Sequence, residues 1–123
     1  MCGITGYLAK SPLLDRASFE AATHTLYHRG PDAAGFYFDP HAPLYLGHRR
    51  LSILDLSTAS NQPFESADGR YLMTYNGEVY NYREIIRELG LNVRTTGDTE
   101  VIIEAFAKIG VRAFSYLNGM FAI

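Results

Sequence analysis

Short apolar runs typical of strands and segments with helical periodicity are interspersed along this chain, without the regular alternation that a parallel β-α-β fold requires. The strand-like runs are Ile4–Ala9, Gly35–Phe38, Leu44–Gly47, Tyr71–Tyr75 and Gly119–Ile123. The second and third runs flank a turn-forming segment and predict a hairpin, and regular structure is expected to stop at Asn76. The pattern favours mixed or antiparallel sheets with helices packed against them. We therefore predict a layered α+β fold.

Helical periodicity predicts four helices, at about 15–28, 81–89, 98–109 and 111–117. Asp15 and Asp98 are residue types that favour the N-cap of a helix. Asn81 with Glu84 three residues later resembles a capping box. Glycine follows each of the first three helices, as is common at helix ends.

The composition describes an ordinary globular chain and excludes several function classes. Its 123 residues are 47% hydrophobic and 20% charged, which fits one domain with a real core. With 11 Lys and Arg against 13 Asp and Glu, the net charge of -2 makes nucleic acid an unsuitable partner. We expect neither membrane insertion nor a targeting segment, because no apolar run approaches the roughly 20 residues of a membrane span. Cytoplasmic localisation is the default expectation.

The single cysteine, Cys2, lies next to the initiator methionine. Removal of Met1 would leave one residue with both a thiol and a free α-amine, whose ordinary pKa values are about 8.5 and 7.7–8.0. The amine could then take the proton of the thiol near neutral pH. Taken alone, Cys2 is more simply a small buried residue at the start of a strand. A thiol enzyme using His28 or His48 as its base is a weaker alternative.

Three other motifs have both a structural and a functional interpretation. Asn76-Gly77 is either a turn or a pair of oxyanion-hole donors. Of Arg49 and Arg50, adjacent in an apolar segment, one is expected to point inward, where it could bind a carboxylate, or else to form a surface ion pair. Asp98 can cap a helix and also contact a substrate.

Six segments, taken together and in order, resemble the glutaminase domain of the asparagine synthetase family. They are Met1-Cys2-Gly3-Ile4, residues 28–32 with Gly35, residues 47–53, Gln62-Pro63, residues 75–81 and Asp98-Thr99-Glu100. Residues 118–122 resemble a further stretch of that family, so the resemblance covers essentially the whole chain. Other amidotransferases share the N-terminal cysteine, but residues 50–53 and Gln62-Pro63 are closer to the asparagine synthetase branch.

This resemblance implies a class II glutamine amidotransferase with the four-layered αββα fold of N-terminal nucleophile hydrolases. Cys2 would attack the side-chain amide of glutamine and form a thioester, and hydrolysis would leave glutamate and ammonia. The remaining implied roles are carboxylate binding by Arg50, pocket lining by Leu51, Ser52, Ile53 and Leu54, an oxyanion hole at Asn76 and Gly77, and contacts near the substrate's amino group by Glu78 and Asp98.

The family's glutaminase domain normally continues beyond a length of 123 residues and is followed by a synthetase domain. We therefore expect residues 1–123 to be a C-terminally incomplete amidotransferase domain, with glutamine as its ligand and the synthetase domain absent. No cofactor or metal is expected here, since ATP and Mg²⁺ would serve only the synthetase domain. His24 and His28 lie four residues apart but lack a third metal ligand and are interpreted as helix-end residues.

An unfinished sheet would expose unpaired strand edges, so we expect marginal stability or self-association as a homo-oligomer. A retained Met1 would convert the amine of Cys2 to an amide and remove the base. The alternatives are therefore a catalytically silent amidotransferase-like binding module, an inactive fragment, or the glutaminase module of another amidotransferase.

Overall fold

The computed structural model describes residues 2–11 and 14–123 and shows a mixture of helices and antiparallel strands. The strands are β1 (Gly3–Leu8), β2 (Ala33–Phe38), β3 (Leu44–Arg50), β4 (Phe64–Glu65), β5 (Leu72–Met73), β6 (Asn76–Val79) and β7 (Gly119–Ala122). The α-helices are α1 (Arg16–His24), α2 (Tyr82–Leu89) and α3 (Asp98–Ile109), and short 3₁₀ helices cover Thr25–His28, Thr58–Ser60 and Gly110–Tyr116. The predicted α+β class is confirmed.

The largest sheet has the strand order β1-β3-β2, with β3 paired antiparallel on both sides. Gly3 pairs with Arg49, so Cys2 is brought to the C-terminal end of β3. The predicted hairpin is confirmed, because β2 and β3 are joined through residues 39–43 and Phe38 pairs with Tyr45. A side chain at Gly35 of β2 would collide with the carbonyl of Gln62, whose bond to Pro63 is cis. The Gln62 segment therefore packs directly on this sheet.

A hydrophobic core lies between α2, α3 and the short strands β4, β5 and β6. Its buried members are Phe64, Met73, Tyr75, Val79, Ile85, Val101, Ile102, Ile103, Ala105 and Ala113. Helix α3 carries the largest share because its apolar residues recur at helical spacing. Burying each large aliphatic side chain contributes about 1.5–3 kcal/mol to the stability of this core.

Glu100 holds the segment that leads into α3. Its fully buried carboxylate accepts hydrogen bonds from the N–H groups of Arg94 and Thr95, at 2.8 and 2.7 Å, and from Arg94 Nε at 2.8 Å. Burial by itself raises the pKa of Glu100, but the bonds from Arg94 and Thr95 outweigh it and lower that pKa below its ordinary value. The anion also complements the positive end of the helix.

Helix ends differ from the predictions in two places. Asp15 caps α1, as predicted, by accepting a hydrogen bond from the N–H of Ser18 at 2.9 Å. Asn81 precedes α2 but makes no side-chain cap bond, so the predicted capping box is wrong. Its side chain instead bonds the carbonyl of Tyr116 and the N–H of Asn118, which ties α2 to the start of β7.

The predicted end of regular structure at Asn76 is also wrong, because Asn76–Val79 is strand β6, paired with β7. The preceding run at 71–75 forms only the two-residue strand β5. Gly97 occupies the N-cap of α3, and Asp98 is the first helical residue, so the predicted cap role of Asp98 is wrong. Within the described parts of the chain, no helix has both the length and the apolar character needed to cross a bilayer.

His48 joins the large sheet to the segment before β6. It is buried on β3, with 1% of its surface exposed, and its Nε2 donates a hydrogen bond to the Tyr75 carbonyl at 3.1 Å. Burial lowers the pKa of His48 to about 4, assisted by the positive charges of Arg50 and Arg49 and opposed by the bond to Tyr75. The imidazole is therefore neutral in the folded protein near pH 7.

We predict that His48→Gln makes the free energy of unfolding less dependent on pH below pH 6.5. The folded-state pKa lies below the unfolded value of about 6.5, so below pH 6.5 the unfolded chain takes up a proton that the folded chain does not bind. In the unmodified protein, protonation of His48 in the unfolded chain lowers the free energy of unfolding as the pH falls from 6.5 to 4. The loss is up to about 1.4 kcal/mol for each pH unit. A glutamine amide keeps a donor for Tyr75 but does not titrate.

Urea unfolding at pH 7.5, 6 and 5 measures this difference. The matched control is His41→Gln in the exposed turn between β2 and β3, which replaces a histidine outside the contact with the Tyr75 carbonyl. An unaltered slope in His48→Gln would contradict a neutral, buried His48.

Candidate active site

Cys2 is held immediately before β1 at the end of the large sheet. Its Sγ lies 3.6 Å from the Leu51 carbonyl, to which the thiol donates, and accepts a hydrogen bond from the Leu51 N–H at 3.4 Å. Arg29 Nε donates to the Cys2 carbonyl at 3.1 Å. The thiol is only half-buried, so it is positioned and also reachable. Met1, whose removal is predicted to free the α-amine of Cys2, lies outside the described residues.

Cys2 lines a pocket that contains most of the predicted site. Eight of the ten predicted residues line it: Cys2, Arg50, Leu51, Ile53, Leu54, Gly77, Glu78 and Asp98. In the described chain, Ser52 and Asn76 are not among its lining residues. Sequence reasoning missed Asp55, Ser60, Gln62, Tyr75, Gly97 and Thr99, which also line it.

Arg49 and Arg50 are both buried, so the expectation that one of them points inward understates their burial. Arg49 Nε donates to the carbonyl of Gly30 at 2.9 Å, and its guanidinium lies 5.0 Å from the ring centre of Tyr27. It thereby fixes the segment behind the sheet. Arg50 leaves the strand on the opposite face and enters the pocket.

The guanidinium of Arg50 is oriented by protein acceptors. Nη1 donates to the carbonyl of Ser57 at 2.6 Å and to Asn61 Oδ1 at 2.7 Å, and Nη2 donates to the carbonyl of Asp55. These three bonds leave two of the five N–H donors without a partner among the described residues. Within the same residues Arg50 forms no ion pair, which excludes the alternative of a surface salt bridge. Arg50 is therefore a fixed cation that can still bind an anion.

Asp98 supplies a buried anion to the same pocket. Its Oδ2 accepts hydrogen bonds from the Tyr75 hydroxyl at 2.6 Å and from the Val79 N–H at 2.8 Å. Among the described residues, Oδ1 has no hydrogen-bond partner and remains able to accept one. Burial, followed by the bond to Asp98, raises the pKa of Tyr75 well above its usual range, so the phenol stays protonated.

Strand β6 directs backbone donors towards the pocket. Along an antiparallel strand the N–H groups point alternately to its two edges. The Tyr80 N–H bonds the Asn118 carbonyl on the β7 side, whereas the Val79 N–H bonds Asp98 on the other side. Gly77 lies two residues before Val79, so its N–H points to the edge that carries Asp98. A side chain at Gly77 would collide with the backbone of Met120, which explains the glycine.

The two predicted residues that do not line the pocket lie beside it. The Ser52 N–H donates to Asp32 Oδ2 at 2.8 Å and ties the lining segment to residues before β2. Asn76 is half-buried, and its Oδ1 is enclosed without a hydrogen-bond partner in the described structure. An enclosed amide oxygen with unused hydrogen-bonding capacity next to Gly77 is suited to a polar ligand.

Some of the missed residues have a signal in the sequence and others have none. Asp55 with Ser57 has the spacing of an Asx turn, and the Ser57 N–H does donate to Asp55 Oδ1 at 2.8 Å. Tyr75 and Gln62 belong to recognised segments, but their bond, from the Tyr75 N–H to Gln62 Oε1 at 2.6 Å, joins residues distant in sequence. No sequence signal marks Ser60.

The family model of the glutamine amidotransferase domain matches residues 1–123. Over 99% of its length the chain is 39% identical to glutamine-hydrolysing asparagine synthetase 1 of Bacillus subtilis, 36% identical to the glutamine-hydrolysing asparagine synthetase of Zea mays, and 35% identical to amidase chry2 of Gibberella zeae. The aligned region makes up 20%, 21% and 20% of these relatives, so the chain spans about one fifth of their length. Because the family model covers every residue, this chain belongs to the glutamine amidotransferase domain family.

Proposed function

We propose that this chain hydrolyses glutamine to glutamate and ammonia with Cys2 as the nucleophile. The observation that carries the proposal is one pocket that combines a reachable thiol, a buried guanidinium with unused donors and a buried carboxylate with an unused oxygen. Few ligands match this set. A small α-amino acid presents a carboxylate and an ammonium group at fixed separation, with a side chain directed elsewhere.

Arg50 and Asp98 would bind the two charges of that amino acid. The two free N–H groups of Arg50 can donate to both oxygens of the substrate carboxylate. Asp98 Oδ1, with Glu78 from the same pocket, would accept hydrogen bonds from the ammonium group. Leu51, Ile53 and Leu54 would surround the aliphatic part of the side chain and place its amide near Cys2.

Hydrolysis would proceed through a thioester. With Met1 removed, the α-amine of Cys2 accepts the thiol proton as Sγ bonds to the amide carbon of glutamine. The amine then returns that proton to the departing nitrogen, the C–N bond breaks and ammonia leaves. Water adds to the thioester, releasing glutamate and restoring the thiol.

The negative oxygen of each tetrahedral intermediate requires donors. The Gly77 N–H, on the pocket edge of β6, is one candidate, and the adjacent Asn76 amide is the other. Rotating that amide by 180° exchanges its oxygen and nitrogen and would turn Nδ2 towards the ligand. Losing one such donor typically costs about 3 kcal/mol of barrier.

The proposal extends to the complete fold, the use of the ammonia and the cell compartment. The antiparallel sheets and flanking helices are compatible with part of an αββα N-terminal nucleophile fold. The synthetase names of the relatives suggest that the ammonia is passed to an ATP- and Mg²⁺-dependent synthetase domain that forms asparagine. A catalytic thiol must stay reduced, which favours the cytoplasm.

We predict that Cys2→Ala abolishes glutamate release while preserving glutamine binding. Removal of the nucleophile should reduce turnover more than about 10⁴-fold, whereas Arg50 and Asp98 still hold the substrate. An enzymatic glutamate assay measures turnover, and isothermal titration measures affinity. Mass spectrometry must first establish that Met1 has been removed from the unsubstituted protein. Hydrolysis at the original rate in Cys2→Ala would exclude Cys2 as the nucleophile.

We predict that Arg50→Lys raises the KM for glutamine at least about tenfold, because one ammonium cannot reproduce the planar donor set that binds both the Asp55–Asn61 acceptors and a carboxylate. Steady-state kinetics measure the change, and circular dichroism confirms folding. The control is Arg83→Lys on the exposed surface of α2, for which KM should not change. An unchanged KM in Arg50→Lys would remove Arg50 from the binding site.

A further inference from the structure

Asp55 lines the pocket directly after Leu54 and accepts hydrogen bonds with both carboxylate oxygens. We call residues 52–57 the pocket loop, since Leu51 is held by Cys2 directly after β3. Oδ1 accepts a hydrogen bond from the Ser57 N–H at 2.8 Å, within the loop itself. Oδ2 accepts from the Thr96 N–H at 3.1 Å and from Thr96 Oγ1 at 3.2 Å, across a separation of 41 residues.

The Asp55–Thr96 contact joins the two sides of the pocket. On one side, the Asp55 carbonyl accepts a hydrogen bond from Arg50 Nη2. On the other side, Thr96 stands two residues before Asp98, at the entrance to α3. Among the described residues, no other hydrogen bond connects the pocket loop to residues 94–99. This contact therefore links the segment that orients Arg50 to the segment that leads into Asp98.

The pocket loop has little apolar packing to hold it in place. Three of its large side chains remain exposed: Ile53 by 62%, Leu54 by 43% and Leu56 by 78%. Hydrogen bonds consequently decide where the loop lies. Those from the Ser57 hydroxyl and N–H, followed by that from the Thr96 N–H, hold the pKa of Asp55 well below its usual range. The acceptor is thus an anion, and hydrogen bonds to an anion are stronger than neutral ones.

We propose that Asp55 is a positioning residue that, through Thr96, sets the separation between Arg50 and Asp98 and so determines affinity for the amino-acid substrate. This inference rests on the proposed function, since it assumes that these two charges bind the ends of glutamine. Asp55 acts through Arg50 and Thr96 and has no part in the chemical step. Its loss weakens binding of the ground state and the transition state alike.

Such a role predicts a change in KM without a matching change in kcat. The environment of Cys2 depends on Leu51 and Arg29, and the donor edge of β6 depends on β7, and none of these contacts involves Asp55. Asp55→Ala should raise the KM for glutamine about tenfold while kcat stays within about twofold. A collapse of the active site would instead lower kcat.

Substitutions at Thr96 test how much its hydroxyl bond to Asp55 contributes to the KM for glutamine. Thr96→Val has nearly the same shape but removes only the hydroxyl donor, and we expect KM to rise about threefold. Thr96→Ser retains both donors and should stay within about twofold of the unmodified chain. In the Asp55→Ala background, Thr96→Val should add nothing, because its acceptor is already gone.

Asp39→Ala is the matched control. Asp39 accepts hydrogen bonds from the N–H groups of His41 and Ala42, both at 2.8 Å, in the turn between β2 and β3. It therefore loses the same kind of carboxylate–backbone bond in a place outside the pocket. This variant should lose some stability and keep the KM of the unmodified protein.

The decisive measurement separates this inference from the proposed function. Glutamine affinity is measured by isothermal titration in the Cys2→Ala background, alongside the kinetics, and iodoacetamide alkylation of Cys2 in the active background tests whether the thiol is undisturbed. Weaker binding in Thr96→Val than in Thr96→Ser, with equal alkylation rates, supports the inference. Equal affinity in the two variants overturns it, even if Asp55→Ala fails to fold. If the unsubstituted protein with Met1 removed binds glutamine but releases no glutamate, only the proposed function is overturned. If it does not bind glutamine, both the proposed function and this inference are overturned.

Discussion

The register between β1 and β3 is the constraint on which the candidate site depends. Pairing of Gly3 with Arg49 places Cys2 beside Leu51, where its sulfur contacts the backbone. Successive side chains of a strand point to opposite faces, so a slip of one residue would exchange the positions of Arg49 and Arg50. In the observed register, Arg49 binds the carbonyl of Gly30 behind the sheet and Arg50 enters the pocket. One pairing thus supplies both the thiol and the cation.

The buried charges of the pocket are stabilised by neighbours that leave part of their capacity unused. Burying an isolated ion costs several kcal/mol, and hydrogen bonds offset that cost. Arg50 donates to acceptors in residues 55–61, and Asp98 Oδ2 accepts from Tyr75 and Val79. Two N–H groups of Arg50 and Oδ1 of Asp98 remain available within the described structure. A zwitterionic ligand would complete both sets, so the same arrangement serves stability and recognition.

Helices and the larger strands could be predicted from sequence because their apolar residues recur at regular intervals. The eight predicted site residues that line the pocket followed from family resemblance and not from periodicity. Strand β6 was missed because Asn76-Gly77 has the composition of a turn, whereas Gly77 is required by the close approach of β7. The roles of Asn81 and Asp98 as caps were wrong because both side chains bond distant partners. Contacts such as Asp55 with Thr96, separated by 41 residues, leave no local pattern.

Tyr75 connects the sheet that carries Cys2 with the helix that carries Asp98. Its N–H donates to Gln62 Oε1, its carbonyl accepts from His48 Nε2 and its hydroxyl donates to Asp98 Oδ2. All three polar groups of this buried residue are therefore paired with different parts of the chain. Because these bonds join the large sheet to the core around α3, the relative position of the two is set by directional contacts as well as by apolar burial. The Asp55–Thr96 contact adds a second connection at the mouth of the pocket, where apolar packing is weakest.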